Sequence, residues 1–238
     1  MLTENIVGID FSLNSPAFCC YKDGKYTWGS LTRSDRGEES HLKNPKKPFS
    51  ILHSEQEFRF IFMNKKGMPE EYSSRERIKI VYFLEIVESL WEDILKIMGN
   101  SDFLVAMEGL SFSSNGNALI DISMATALLR RKIIAKIGAE NFYVFSPTSI
   151  KKFAKKGNAK KDELYEALCN FKEDGTNLVN FSNILKANIS EWITPAKAVN
   201  KPIDDIVDAT WITLYLKSQL KEIYGIKGNF ETASTGSL

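Results

Sequence analysis

Two short apolar segments of this sequence each end in one acidic residue, and they limit the folds open to the chain. Asp10 closes NIVGID, and Glu108 closes DFLVAME. Short runs of consecutive apolar residues are typical of strands that are buried on both faces of a sheet. If the two strands are parallel neighbours, both acids lie at the sheet edge where α/β proteins bind ligands. Either acid taken alone could instead mark the start of a solvated loop.

The order of the predicted elements favours an α/β fold with a mixed five-stranded sheet flanked by helices. The segments NIVGIDFS, AFCCYKDG and KYTWGSLT predict an N-terminal meander with a turn at Lys22-Asp23-Gly24. Two further strands are expected at 102–108 and at YVFSP. Periodic apolar residues and helix signals predict helices at 75–98, 117–137, 160–171 and 202–224.

A chain of 238 residues that is 43% hydrophobic can bury one sizeable core. We interpret residues 1–227 as a single domain with polar insertions near 34–74 and 174–200. The last segment, 228–238, has the composition of a flexible tail.

Composition directs the search for chemistry toward carboxylates. Three cysteines, two of them adjacent, suggest a reducing compartment, and two histidines make histidine-centred catalysis unattractive. Because no signal peptide or membrane-spanning run is evident, we expect a cytoplasmic protein without a membrane partner. With a net charge of only +1, any affinity for nucleic acid must come from a local basic surface.

The predicted last helix carries acids where little polar surface is expected. Asp205 and Asp208 are spaced i,i+3, so both carboxylates lie on one face beside apolar residues. Two such charges are costly there unless a cation neutralises them. The alternative is that acids in a first helical turn stay solvated and favour the helix dipole, which would suit Asp204 well.

Four acids from three segments match the ligand preference of a hard divalent cation. Mg²⁺, or Mn²⁺ in its place, takes oxygen ligands and needs neither cysteine nor histidine. Two ions about 3.5 to 4 Å apart can clamp an in-line displacement at phosphorus. The sequence therefore favours metal-dependent phosphodiester hydrolysis.

A lysine-rich segment between the second and third acidic segments indicates contact with a phosphate backbone. Its candidate DNA-binding residues are Lys151, Lys155, Lys156, Lys160 and Lys161, with Gly157 and Asn158 forming a turn before a helix. The alternative is an ordinary solvated face. Phe112 could stack on an unpaired base or belong to the core. Ser12 is a further candidate for a phosphate or for a metal-bound water.

Four sequence blocks together resemble the RuvC family of Holliday junction resolvases. In chain order they are GIDFSLNSP, VAMEGL, FSPTSIKKFAKKGNAKKDEL and DDIVDA. The resemblance implies an RNase H-like fold and places the family's four metal-binding acids at Asp10, Glu108, Asp205 and Asp208. It also gives the lysines a role in phosphate contact and makes Phe112 the nearest candidate for the family's junction aromatic.

The resemblance further implies a homodimer that acts on branched DNA. From the carboxylate set we expect two Mg²⁺ ions per site. The resemblance covers about 120 residues and leaves 34–74 and 174–200 unmatched. The insertions and the segment SLNSPAFC resemble those of phage-encoded relatives of this family. A phage origin would place the protein in the cytoplasm of a bacterial host.

Three other functions remain open from the sequence. The same acids would serve an RNase H-type enzyme that cuts the RNA strand of a hybrid. A non-catalytic module could use the fold and the lysines to hold DNA. An actin-like or sugar-kinase ATPase also begins with a strand that ends in Asp, but SLNSPAF lacks the glycines of a phosphate loop.

Overall fold

A mixed six-stranded sheet forms the centre of the protein. The computed structural model describes residues 4–33, 43–44, 47–64, 67–110, 116–173 and 175–224, without the side chains of 33, 223 and 224. The strands are β1 (Ile6–Asp10), β2 (Ala17–Lys22), β3 (Lys25–Arg33), β4 (Phe58–Met63), β5 (Leu104–Glu108) and β6 (Phe142–Phe145). Their order across the sheet is β4-β3-β2-β1-β5-β6.

The sheet combines an antiparallel meander with parallel strands on both sides. β1, β2 and β3 pair antiparallel, and Asp23 and Gly24 make the β2–β3 turn at φ values of 50° and 81°. β4 adds parallel to β3, and β5 and β6 continue parallel from β1. The predicted α/β fold with a mixed sheet is therefore confirmed.

Helices cover both faces of the sheet. They are α1 (Pro48–His53), α2 (Tyr72–Met98), α3 (Gly116–Ile137), α4 (Pro147–Ala154), α5 (Lys161–Asn170), α6 (Leu178–Ala187), α7 (Ile189–Trp192) and α8 (Ile203–Tyr224), with a 3₁₀ turn at Ala139–Asn141. Within the described ranges, no helix is long and apolar enough to cross a membrane.

Successive side chains of β1 and β2 point to opposite faces of the sheet, so these strands contribute to the core on both faces. Ile6, Cys19 and Tyr21 belong to the cluster that contains α8, whereas Val7 and Cys20 pack with α2 and α3. All three cysteines are buried and free.

The expected count of five strands was wrong, because the segment 34–74 supplies a sixth. Breakers such as KNPKKP obscured the aromatic strand FRFIFM, which became β4. Phe58 of β4 stacks on Trp28 with ring centroids 4.9 Å apart, so burial of aromatic surface holds the added strand.

The segment 174–200 also contributes to the core, and its description as polar was incomplete. Leu178, Phe181 and Leu185, spaced by three and four residues, are buried. Asn177 brackets Tyr26 by accepting from its N–H at 2.7 Å and donating to its carbonyl at 2.8 Å. The division of the chain into one domain with insertions stays a prediction.

Helix α8 lies unusually close to β1. A Cβ placed on Gly8 would come within 2.6 Å of the Ala209 carbonyl oxygen and of the Thr213 backbone nitrogen. The Thr213 hydroxyl also donates to the Cys19 carbonyl at 2.9 Å, which ties the helix to β2. Only glycine permits this spacing between strand and helix.

The Gly8→Ala substitution is therefore expected to push α8 away from β1 and to lower the free energy of unfolding by about 1–3 kcal/mol, as overpacking does. Urea unfolding of the purified variant measures the change. Gly67→Ala is the matched control, because nothing lies within 4 Å of a Cβ at that position. Equal loss of stability in both variants would contradict the close contact.

Candidate active site

Asp10 and Glu108 lie at the adjoining ends of two parallel strands, as the sequence predicted. Ile9 of β1 pairs with Met107 of β5, so the acid that follows each residue occupies the same sheet edge. Both acids line a cavity of about 190 Å³, whose walls include Phe11 and Met107. The cavity gives the carboxylates an opening to solvent.

The first turns of α8 bring Asp205 and Asp208 to the same place. Asp205 is almost fully buried, and the Ser15 hydroxyl donates to its Oδ2 at 2.7 Å. Ser12 in turn accepts a hydrogen bond from the Ser15 N–H at 3.1 Å. Ser12 thus shapes the loop after β1, and its predicted contact with phosphate stays a prediction.

Ser15 was missed in the sequence analysis, although a signal was present. A serine side chain often accepts from a backbone N–H two or three residues later, and Ser12 and Ser15 have this spacing. Such a turn could have indicated that the second serine points back toward the strand end.

The four acids act on one another electrostatically. Burial raises the pKa of Asp10, and the charges of Asp208 and Asp205 raise it further against the opposing effect of Lys161. Burial and Asp208 raise the pKa of Glu108 to about 7. Both shifts mean that negative charge at this edge is costly unless a cation is close.

Lys161, at the start of α5, supplies such a cation. Its Nζ lies 3.0 Å from Asp204 Oδ2, 3.1 Å from Asp208 Oδ2 and 3.9 Å from Asp205 Oδ1. Although burial opposes its charge, the carboxylates of Asp208, Asp204 and Asp205 raise the pKa of Lys161. The predicted phosphate contact is thus replaced here by ion pairs, and its role toward DNA stays a prediction.

Asp204 is not the solvated acid that its place in a first helical turn suggested. Its side chain is 6% exposed, and it pairs with both Lys161 and Lys201, the latter at 3.1 Å. Its Oδ1 is buried and finds no hydrogen-bond partner among the residues that the structure describes. The packing of α5 across the start of α8 removes this turn from solvent, which a helix-dipole argument cannot foresee.

The donor set suits a hard divalent ion, although the side chains do not yet form a ligand shell. Carboxylate oxygens are the ligands that Mg²⁺ and Mn²⁺ prefer. In the part of the chain that is described, no group of three or more His, Cys, Asp or Glu is already arranged to hold a metal. The Lys161 ammonium lies among these carboxylates, so an entering ion has to replace its charge.

The remaining lysines of the basic segment lie in α4 and in the turn that follows it. Lys151 lies in α4, from where its charge lowers the pKa of Glu108. Lys155, Lys156 and Lys160 are exposed in the turn between α4 and α5, where Lys156 pairs with Glu163 at 2.6 Å. Phe112 lies outside the described residues.

Among known proteins, similarity is found only at the level of structure. No family model and no curated protein sequence matches this chain. RuvC of Thermus thermophilus matches with 15% identity and a TM-score of 0.46, covering 94% of this chain and 98% of that one. A yeast mitochondrial Holliday junction resolvase matches with 15% identity and a TM-score of 0.44, covering 92% and 81%.

The resolvase of fowlpox virus, solved with a Holliday junction, matches with 11% identity and a TM-score of 0.39 over 91% of this chain and 98% of that one. All three of these solved structures are named as Holliday junction resolvases or as RuvC. At these identities the likeness concerns the fold. Phage origin and the cytoplasmic location stay predictions.

The raised pKa of Glu108 predicts how stability depends on pH in the absence of divalent ions. The pKa of Glu108 is about 7 in the folded protein, against 4.5 for an ordinary glutamate. Glu108 therefore contributes stability that is complete below pH 4.5 and lost as the pH rises through 7, because the native state binds more protons in this window.

Urea unfolding in EDTA between pH 5 and pH 8 measures this effect. The free energy of unfolding of Glu108→Gln, which cannot ionise, should fall less steeply across the window than that of the wild type. Parallel curves for the two proteins would show that Glu108 titrates normally.

Proposed function

We propose that this chain is a metal-dependent endonuclease that resolves four-way junctions and other branched DNA by phosphodiester hydrolysis. The observation that carries the proposal is the convergence of Asp10, Glu108 and the α8 acids at one sheet edge, beside a lysine-bearing surface. The substrate class rests on the four sequence blocks, whose acids and lysines meet at this edge.

Asp10, Glu108, Asp205 and Asp208 are the residues that would hold two Mg²⁺ ions, and Mn²⁺ is expected to substitute. Bound there, such ions supply an activated water and stabilise the leaving oxygen. The chain's own contribution is orientation: the Ser15 hydroxyl fixes one oxygen of Asp205, and β1 and β5 hold Asp10 and Glu108 side by side. The exposed lysines between α4 and α5 would hold the DNA backbone.

A homodimer is part of the proposal, because resolution of a four-way junction needs two cuts in opposed strands. One site per chain would supply one cut, and a two-fold dimer would place a second site against the other strand. Gel filtration with light scattering tests the oligomeric state directly.

Substitution Asp10→Asn is expected to abolish cutting while junction binding survives. Loss of one metal-binding carboxylate should slow cleavage by roughly a hundred-fold or more, since the metal contributes several kcal/mol to the transition state. The assay follows a labelled four-way junction in Mg²⁺ and in EDTA. Asp23→Asn, in the exposed β2–β3 turn at the far end of the sheet, is the control that should cut normally.

The same assay includes a linear duplex and an RNA–DNA hybrid of matched sequence. Paired nicks that are confined to the junction, need Mg²⁺ and are lost in Asp10→Asn would support a resolvase. Cutting of the hybrid alone would favour an RNase H-type ribonuclease. Binding without any cutting would indicate a non-catalytic DNA-binding module.

A further inference from the structure

A second lysine, Lys201, reaches the acidic cluster from outside the basic segment. Its Nζ forms ion pairs with Asp205 and with Asp204 Oδ2, the latter at 3.1 Å, while its side chain remains 54% exposed. Asp204 therefore holds two ammonium groups, those of Lys161 and Lys201, at one edge of the cluster. Both lysine side chains are about half exposed, so the edge can be reached from solvent.

The segment before α8 is built to hold Lys201 in this place. Trp192 is fully buried in the core, and the Asn200 N–H donates to its carbonyl at 2.9 Å. Ile193 and Val199 form an antiparallel bridge that closes a short hairpin between them. The Ile203 N–H then donates to the Asn200 carbonyl at 3.0 Å, so the hairpin leads directly into the helix.

Charge counting indicates what happens to these lysines when metal enters. With all carboxyls ionised, Asp10, Glu108, Asp204, Asp205 and Asp208 outnumber Lys161 and Lys201 by three charges. Two divalent ions would leave the cluster with one positive charge. A positive edge then complements a phosphodiester.

We propose that Lys201 is a positioning residue for DNA. Its ammonium group binds a backbone phosphate beside the active site once divalent ions neutralise the Asp205 carboxylate. This inference rests on the proposed function and assigns a role to the segment 178–201: its docked helices and hairpin carry Lys201 to the cluster. In the metal-free protein, the ammonium group of Lys201 is instead held in ion pairs by Asp204 and Asp205.

The test is the salt dependence of junction binding in Ca²⁺ and in EDTA, measured by fluorescence anisotropy. Denaturing gels establish that the DNA strands stay uncut during the measurement. Ca²⁺ binds the same kind of oxygen donors. Log affinity falls as log salt rises, and in Ca²⁺ Lys201→Gln should make this fall less steep by about one unit of slope. The variant should also bind roughly five- to tenfold more weakly near 0.1 M salt. In EDTA the wild type and the variant should have equal slopes.

Lys201→Arg should keep the wild-type slope, which a merely structural lysine would not require. Lys132→Gln is the distant control, since Lys132 pairs with Glu88 on the opposite face of the sheet at 2.6 Å. Thermal unfolding establishes that each variant is folded at the assay temperature, and Lys201→Met replaces the glutamine variant if that one is not.

Equal slopes for the wild type and Lys201→Gln in Ca²⁺ would overturn the inference, as would the same loss of slope in EDTA. Failure of the proposed function has a different signature. In that case the wild type itself neither cuts nor prefers the junction, whatever the slope of the variant.

Discussion

The approach of α8 to β1 at Gly8 is the contact on which the site depends. Gly8 and Asp10 project toward the same face of the sheet, two residues apart along the strand. Ala209, whose carbonyl oxygen meets Gly8, directly follows Asp208 on the helix. The spacing between the two backbones therefore sets how far the carboxylate of Asp10 lies from those of the helix. A side chain at position 8 would separate the groups without altering any of them.

The acids at this edge work against the stability of the helix that carries them. α8 is buried along most of its length, and its first turns nevertheless bring three carboxylates among apolar neighbours. Lys161 and Lys201 offset part of their mutual repulsion, because ammonium groups near 3 Å interact strongly in a poorly solvated place. Functional sites commonly give up some stability of the protein in this way.

The sequence predicted the mixed sheet and the meeting of the acids because their signals are local. Asp10 and Glu108 end clear apolar runs, and Asp205 and Asp208 interrupt an apolar helix. β4 was missed because its aromatic residues lie between segments rich in proline, glycine and lysine. Only the packing of Phe58 on Trp28, which the sequence does not reveal, shows that they form a strand. The burial of Asp204 and the ion pairs of Lys161 also depend on where α5 crosses α8, a relation between distant segments that no local pattern contains.

The topology has a consequence for the order in which the protein matures. β1 is synthesised long before α8 and lies inside the sheet, yet its main partner on one face is this helix, nearly two hundred residues later in the chain. Contacts of such long sequence separation form late, because closing long loops costs entropy before any contact compensates for it. The carboxylates can therefore meet only after the sheet and the last helix have docked. A ribosome-bound chain that ends before α8 holds two of the acids and no assembled site, so synthesis itself delays assembly of the site until folding is nearly complete.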